Sequence, residues 1–405
     1  MTSATLNDPL TLPCGATLPN RIAKAAMSEH LGSPKQSPTP GLARLYERWS
    51  AGGAGLLITG NVMVDQAHLE AVRNVAVKPE SNIDHFREWA AAGTTHGNHL
   101  WMQLNHPGRQ TPRHLNPSPG APSAVEPVNL FRRANAFGKP HAMDETEIAR
   151  VIRGFASAAA FAQTAGFTGV QVHGAHGYLV SQFLSPLTNQ RSDQWGGSLE
   201  NRARFARTVL SEIRTAVGDD FPIGIKLNSA DFQRGGFTEE ESMRVLLMLQ
   251  EDGIDLVEIS GGSYESRVMF DKVENQREAF FLDYARKARA EVDLPMMVTG
   301  GFRARSIMQD ALSSGALDVV GMARPFTNNP HVAQDLLDGR TATATDPPVM
   351  PGLGRLGGSS QAIMSFAQMG LLAEGKSPTL RFGGFGALLA SLVQESADLF
   401  KPKRP

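Results

Sequence analysis

The sequence predicts an α/β fold, a TIM (β/α)8 barrel with an N-terminal hairpin and a C-terminal extension. Three observations predict it. Short apolar runs alternate with helical stretches along most of the 405 residues, eight such runs can be marked, and each ends on polar or special residues. The runs lie at 21–27, 55–59, 99–104, 169–173, 222–227, 256–260, 295–299 and 318–321. They are continuous more than strictly alternating, as suits parallel strands buried on both faces. The structural rival is a doubly wound open sheet, but no run leads into the G-x-G-x-x-G turn that such a sheet places under a dinucleotide.

In chain order, residues 1–20 come first. Leu10-Thr11-Leu12, a turn at Pro13-Cys14-Gly15 and Ala16-Thr17-Leu18 read as a hairpin plugging the barrel floor. Leu42, Leu45, Tyr46 and Trp49 stand at helical spacing. Residues 107–143, rich in Pro, Asn and Arg, read as a lid-like loop after the third strand. Asp144 with Glu147, and Thr238 with Glu241, are capping boxes that open helices. The barrel is expected over 1–340 and the extension over 341–405. The extension opens Pro/Gly-rich and ends with Leu388, Leu389, Leu392, Val393 and Phe400 at roughly helical spacing. It is expected to pack on the barrel or on a neighbouring subunit of a homo-oligomer, a dimer being the guess, and the sequence leaves both open.

Composition narrows the function. Apolar residues make up 41% and charged residues 20%, so an ordered globular chain is expected. A formal net charge of -1 gives no general attraction to nucleic acid or an anionic membrane. The single cysteine, Cys14, rules out an internal disulfide, a zinc site of several thiolates and an iron–sulfur cluster. The first residues lack a basic stretch followed by an apolar one, and no apolar run is long enough to span a bilayer, so the expected location is the cytoplasm.

The chemistry gathers at the strand ends, where this barrel carries its site. The candidates there are Ala26-Met27-Ser28, Gly60-Asn61, Gln103, the stretch from His173 to Tyr178, Lys226, Gly300-Gly301 and Ala323-Arg324. Gly300-Gly301 lets backbone N–H groups approach an anion and Arg324 can clamp its oxygens, so the pair reads as a phosphate site; a tight turn is the plainer alternative. His173 and His176 can donate to a substrate carbonyl, and the Tyr178 phenol can give a proton. Either histidine alone could instead satisfy a buried hydrogen bond. Zinc on His106, His173 and His176, making a metal-dependent TIM-barrel hydrolase, is the rival reading, disfavoured because no carboxylate stands among these strand-end residues. Lys226, inside an apolar strand, needs an anion, an electron-rich ring, a Schiff base or a salt bridge within the barrel. The Gln103 amide can read a flavin pyrimidine edge.

Together these residues resemble the Old Yellow Enzyme family of FMN-dependent TIM barrels. The resemblance runs from about residue 6 to about residue 338. Its most specific stretch is Gly169-Val170-Gln171-Val172-His173-Gly174-Ala175-His176-Gly177-Tyr178-Leu179, continued by Gln182-Phe183-Leu184-Ser185-Pro186 and Trp195-Gly196-Gly197-Ser198. Asn20-Arg21-Ile22 and Gln103-Leu104-Asn105-His106-Pro107-Gly108-Arg109 extend it. The resemblance implies FMN at the barrel mouth, reduced by NADH or NADPH, followed by reduction of a small activated alkene. It implies that Met27, Ser28 and the Gly60-Asn61 backbone lie against the flavin, and that Gln103 and Lys226 bind its pyrimidine side. It implies that Gly301, Ala323 and Arg324 hold the phosphate. His173 and His176 then hydrogen-bond the substrate carbonyl, and Tyr178 protonates the α-carbon after flavin N5 gives hydride to the β-carbon. Three positions depart from many relatives: Ala26 stands for proline, Ser28 for threonine or cysteine, and Lys226 for arginine. A serine hydroxyl is still expected to donate to the flavin carbonyl, and Lys226 keeps the charge without the planar fork. A non-catalytic flavin-binding sensor is the third reading.

Overall fold

The computed structural model describes residues 3–127, 135–262, 281–348 and 357–379. The apolar positions from Leu388 to Phe400 lie outside the described residues. Eight strands, all parallel, form the barrel: β1 (Ile22–Lys24), β2 (Leu56–Met63), β3 (His99–Asn105), β4 (Gly169–Gly174), β5 (Ile223–Asn228), β6 (Leu256–Ser260), β7 (Met296–Thr299) and β8 (Val319–Met322). Neighbours pair in sequence order, and β8 pairs with β1 to close the ring. Around it lie α1 (Pro40–Ser50), α2 (Ile83–Thr94), α3 (Glu145–Thr164), α4 (Leu199–Val217), α5 (Glu239–Glu251), α6 (Leu282–Glu291), α7 (Arg305–Ser313) and α8 (Val332–Leu337). This is a TIM barrel.

The helices form where the side chains dictate. The α1 stripe of Leu42, Leu45, Tyr46 and Trp49 is buried against the barrel. Asp144 caps α3 and Thr238 caps α5, and in each box the glutamate three residues on bonds back to the cap. Among the described residues no helix is long and apolar enough to cross a membrane.

The barrel floor is plugged from below. Leu10–Thr11 and Thr17–Leu18 pair antiparallel, and Leu12 and Leu18 join Leu56, Ile58, Trp101, Leu256, Met297 and Val319 in an inner apolar cluster. Trp101 fills the centre. A methyl group at Gly169 would lie 2.5 Å from its indole nitrogen, and one at Gly224 would lie 2.8 Å from its ring. The glycines of β4 and β5 are thus steric partners of one tryptophan.

Two boundaries differ from the sequence reading. β1 is only three residues long. β2 runs on past Gly60 and Asn61 to Met63, with a register shift against β3 between Ile58 and Asn61, and Val75–Ala76 then pairs beside it. The shift lets a strand continue through a glycine that read as its end. A further helix, α9 (Gly357–Ala373), packs on α1 of the same chain, and Arg44 donates to the Ala373 carbonyl at 2.7 Å.

Gly169→Ala should cost about 1–3 kcal/mol of stability through overpacking against Trp101. Urea unfolding measures it, and an unchanged midpoint would mean the indole has room to move.

Candidate active site

The mouth of the barrel gathers several of the expected residues. β4 ends in a forced turn: His176 adopts a left-handed φ of 61°, which a non-glycine residue adopts only when held there. Asn228 Oδ1 accepts its N–H at 3.1 Å, and the Gln110 side chain donates to its carbonyl at 3.1 Å. This turn sets the His173 ring edge-on to the rings of His176 and Tyr178, with centroids 5.1 Å and 4.8 Å away. Leu179 N–H donates to the His106 carbonyl at 2.9 Å, fixing the chain just after Tyr178. The Asn61 amide lies 3.5 Å from the Tyr178 hydroxyl and 3.4 Å from Ser28 Oγ, which joins the β2 and β1 ends to the same patch.

Protonation follows from these contacts. His173 Nδ1 accepts the Ala175 N–H at 3.3 Å, which leaves the proton on Nε2. His176 Nε2 pairs with Ser260 Oγ at 2.8 Å. Burial pushes both pKa values well below the ordinary 6.5; for His173 the charges of His176 and Lys226 add to it, and for His176 that of Lys226 does. Both rings are neutral hydrogen-bond donors at neutral pH.

Lys226 forms the salt bridge inside the barrel that the sequence had left open. Its Nζ is 2.9 Å from Glu258 Oε1 on β6, and both side chains are buried. The other Glu258 oxygen accepts Gln171 Nε2 at 2.8 Å, and Gln171 Oε1 accepts Gln103 Nε2 at 2.8 Å. Four side chains on β3 to β6 therefore form one chain of partners. Glu258 and Gln171 were missed, yet both alternate with apolar neighbours on the inner faces of their strands, which is a readable signal.

The far side of the mouth is cationic. Gly300 and Gly301 take φ values of 135° and 83°, open to a close backbone approach. Arg303 Nη2 is 2.6 Å from Asp346, and Arg324 Nη2 is 3.6 Å from the same carboxylate. Arg324 also donates to Gln361 of α9. Burial lowers its pKa, Asp346 opposes that, and Arg303 adds to the lowering. Two guanidinium groups facing one carboxylate leave an excess positive charge. Ala323 and Ala26 each pack against the inner cluster, and Met27 packs against the outer core. Asn61 Oδ1 and Thr299 Oγ1 are buried without a hydrogen-bond partner. An anion-accepting end and unmet polar atoms at the barrel mouth fit a ring-bearing phosphate such as FMN.

The expectation that no carboxylate stands at the strand ends is corrected. Asp65 and Glu70 lie just past β2, brought in by a segment that reads locally as an ordinary loop, and Glu258 lies within β6. The suggested histidine trio is also divided. His106 packs against His68, ring centroids 4.3 Å apart and tilted by 34°, not with His173 and His176, and both face Asp65. His68 Nδ1 is 3.0 Å and His106 Nε2 3.8 Å from Asp65 Oδ2, while Arg150 bonds that oxygen at 2.8 Å. The far nitrogen of His68 accepts Gly120 N–H and that of His106 accepts Gly108 N–H, each at 3.1 Å. The inner nitrogens therefore carry the protons and point them at the carboxylate, whereas a metal-bound histidine donates from its far nitrogen. Burial raises the Asp65 pKa, but the nearby His106 ring and the hydrogen-bonded His68 outweigh it and hold the carboxyl far below its usual range.

The described geometry matches known proteins. Residues 5–343 match the family model described as NADH:flavin oxidoreductase / NADH oxidase family. The chain belongs to this family. It is 36% identical over 408 residues to the NADH-dependent flavin oxidoreductase nadA of Aspergillus parasiticus, covering 95% of this chain and 91% of that protein. It is 37% identical over 348 residues to the NADH-dependent flavin oxidoreductase iliE of Hypocrea jecorina, covering 80% of this chain and 86% of that one. The solved structure of the old yellow enzyme homologue from Zymomonas mobilis shares the fold, with a TM-score of 0.73, 24% identity, and coverage of 85% of this chain and 95% of that one. This Old Yellow Enzyme family member is an NAD(P)H-dependent flavin oxidoreductase that uses FMN.

The depressed histidines make stability depend on pH. Above about pH 6.5 neither folded nor unfolded chain protonates them, and their full contribution is present. As pH falls below that value the unfolded chain binds protons that the folded chain refuses, so stability is lost, for His106 until its folded pKa of about 4 is reached. Denaturant unfolding from about pH 7 down to about pH 5 should show this decline. A flat profile would mean that the rings protonate freely in the fold.

Proposed function

We propose that this flavin oxidoreductase reduces the C=C bond of an α,β-unsaturated carbonyl or similarly activated alkene. The observation that carries the reading is the β4 end, where two neutral imidazoles and the Tyr178 phenol converge beside Asn61 and Ser28. Bound FMN supplies the hydride chemistry between NAD(P)H and the alkene. In this reading Ala26, Met27, Ser28, Gly60 and Asn61 line the ring, Gln103 and Lys226 meet its pyrimidine side, and Gly300, Gly301, Ala323 and Arg324 take the phosphate.

The roles follow from the chain's own groups. His173 and His176 donate to the substrate carbonyl and stabilise the charge that grows on its oxygen. Being neutral, they donate without giving up a proton. Tyr178 gives its proton to the α-carbon and is reprotonated from solvent. The Lys226 cation, held by Glu258, favours negative charge at the cleft centre. Arg303 and Arg324 favour the anionic end of a cofactor over an uncharged one.

Three measurements test this. Anaerobic NAD(P)H should bleach the flavin absorbance, and cyclohexenone should restore it; failure of the second step alone rejects the alkene assignment. Tyr178→Phe should lower kcat for enone reduction by about 10²–10⁴-fold while bleaching by NAD(P)H persists. Arg324→Ala should weaken FMN binding at least about tenfold and leave riboflavin binding unchanged, since only FMN has the phosphate. Equal losses for both ligands would place the phosphate elsewhere.

A further inference from the structure

Glu70 brings a carboxylate to the point where Ser28, Asn61 and Tyr178 meet. Ser28 Oγ is 2.9 Å from Glu70 Oε1 and 3.1 Å from Oε2, and the Asn61 amide donates to Glu70 Oε2. The loop is fixed from behind, because Asn74 Oδ1 accepts the N–H groups of Glu70 and Ala71 at 2.9 Å and 2.7 Å. The carboxylate is thus seated by two neutral donors on a pinned backbone.

We propose that Glu70 is a positioning residue that sets the flavin's reduction potential through Ser28; the proposal rests on the FMN reading above. A serine hydroxyl has one proton, and an ionised carboxylate only accepts. The Ser28 proton is committed to Glu70, so Ser28 faces the cofactor side as an acceptor. This reverses the expectation that Ser28 donates to a flavin carbonyl. A carbonyl that gains electron density on reduction loses a donor it would otherwise have, and the fixed negative charge opposes the added electron pair. Both effects have one sign: Glu70 lowers the potential and makes the bound, reduced cofactor a stronger hydride donor.

The test is the midpoint potential of the FMN holoenzyme, measured by anaerobic equilibration with a reference dye. It is made on the wild type, Glu70→Gln, Glu70→Ala, Ser28→Ala and the Ser28→Ala/Glu70→Ala double variant. Glu70→Ala should raise the ratio of reduced to oxidised flavin at a fixed solution potential at least tenfold, about 30 mV for a two-electron couple. Glu70→Gln should raise it less, because its amide oxygen still accepts the Ser28 proton. Ser28→Ala alone should change the ratio little. In the Glu70→Ala background it should lower the ratio, because the freed hydroxyl has become a donor. Such non-additivity marks direct coupling. A merely structural role would change flavin retention or melting temperature and leave the potentials alike. If Glu70→Ala does not fold, Glu70→Gln still decides. Ratios within twofold of wild type in flavin-loaded variants that NADH still bleaches would overturn the Glu70 role and leave the FMN reading standing. A wild-type protein that takes up no FMN would overturn both.

Discussion

The buried pair of Lys226 and Glu258 constrains everything above the floor plug. Neither charge is stable alone in the barrel interior, and removing one partner of such a pair is strongly destabilising. Glu258 has a second oxygen to satisfy, which recruits Gln171, and Gln171 in turn recruits Gln103. One desolvation problem thereby fixes side chains on four consecutive strands. Lys226 and Gln103, the residues best suited to read a heterocycle, are held in orientation before any ligand arrives. Below them Trp101 needs Gly169 and Gly224, so the apolar floor and the polar layer are built from the same strands in alternation.

A second constraint ties the β2 and β3 ends together. Asp65 is held by His68, His106 and Arg150, and these come from the β2 loop, the β3 end and α3. The His106 carbonyl receives the Leu179 N–H, so this clamp bears on the backbone next to Tyr178. The segment that carries the clamp continues to Glu70. Placement of Tyr178, of the acceptor for Ser28 and of the backbone at Gly120 is therefore one packing problem.

Much of this was legible in the sequence, for physical reasons. Eight apolar runs ending in polar residues point to a parallel barrel with a site at its mouth, and six of the runs match their strands closely. β1 is shorter than its run because ladder pairing covers only Ile22 to Lys24, with Ala23 and Lys24 paired on both sides. β2 is longer because a register shift absorbs Gly60. His173, His176 and Tyr178 were legible because one strand end carries all three. Asp65, His68 and Glu70 were not, because a loop's direction depends on tertiary contacts that no local pattern encodes. Glu258 and Gln171 were hidden differently: reading the strands as continuous apolar runs passes over the alternation that places them inside.

Charge is sorted around the mouth. Glu70 brings a carboxylate to the β2 side, where Asp65 is already paired with Arg150; Arg303 and Arg324 make the β7–β8 side cationic, and Lys226 sits balanced by Glu258 between them. In the proposed assignment a ligand with an uncharged ring and an anionic tail has one favourable orientation in that field, tail toward Arg324 and ring toward Ser28 and Asn61. The reverse orientation would set a phosphate against Glu70 with its donors already spent on the carboxylate. The histidines lie between the two poles and stay neutral because burial and Lys226 both oppose their protonation. If they were charged they would offer the tail a competing anion site at the ring's end of the cleft. Under the proposed function their neutrality serves orientation as well as chemistry: it leaves hydrogen-bond donors where a substrate carbonyl would be polarised, without a cation that would draw the wrong group there.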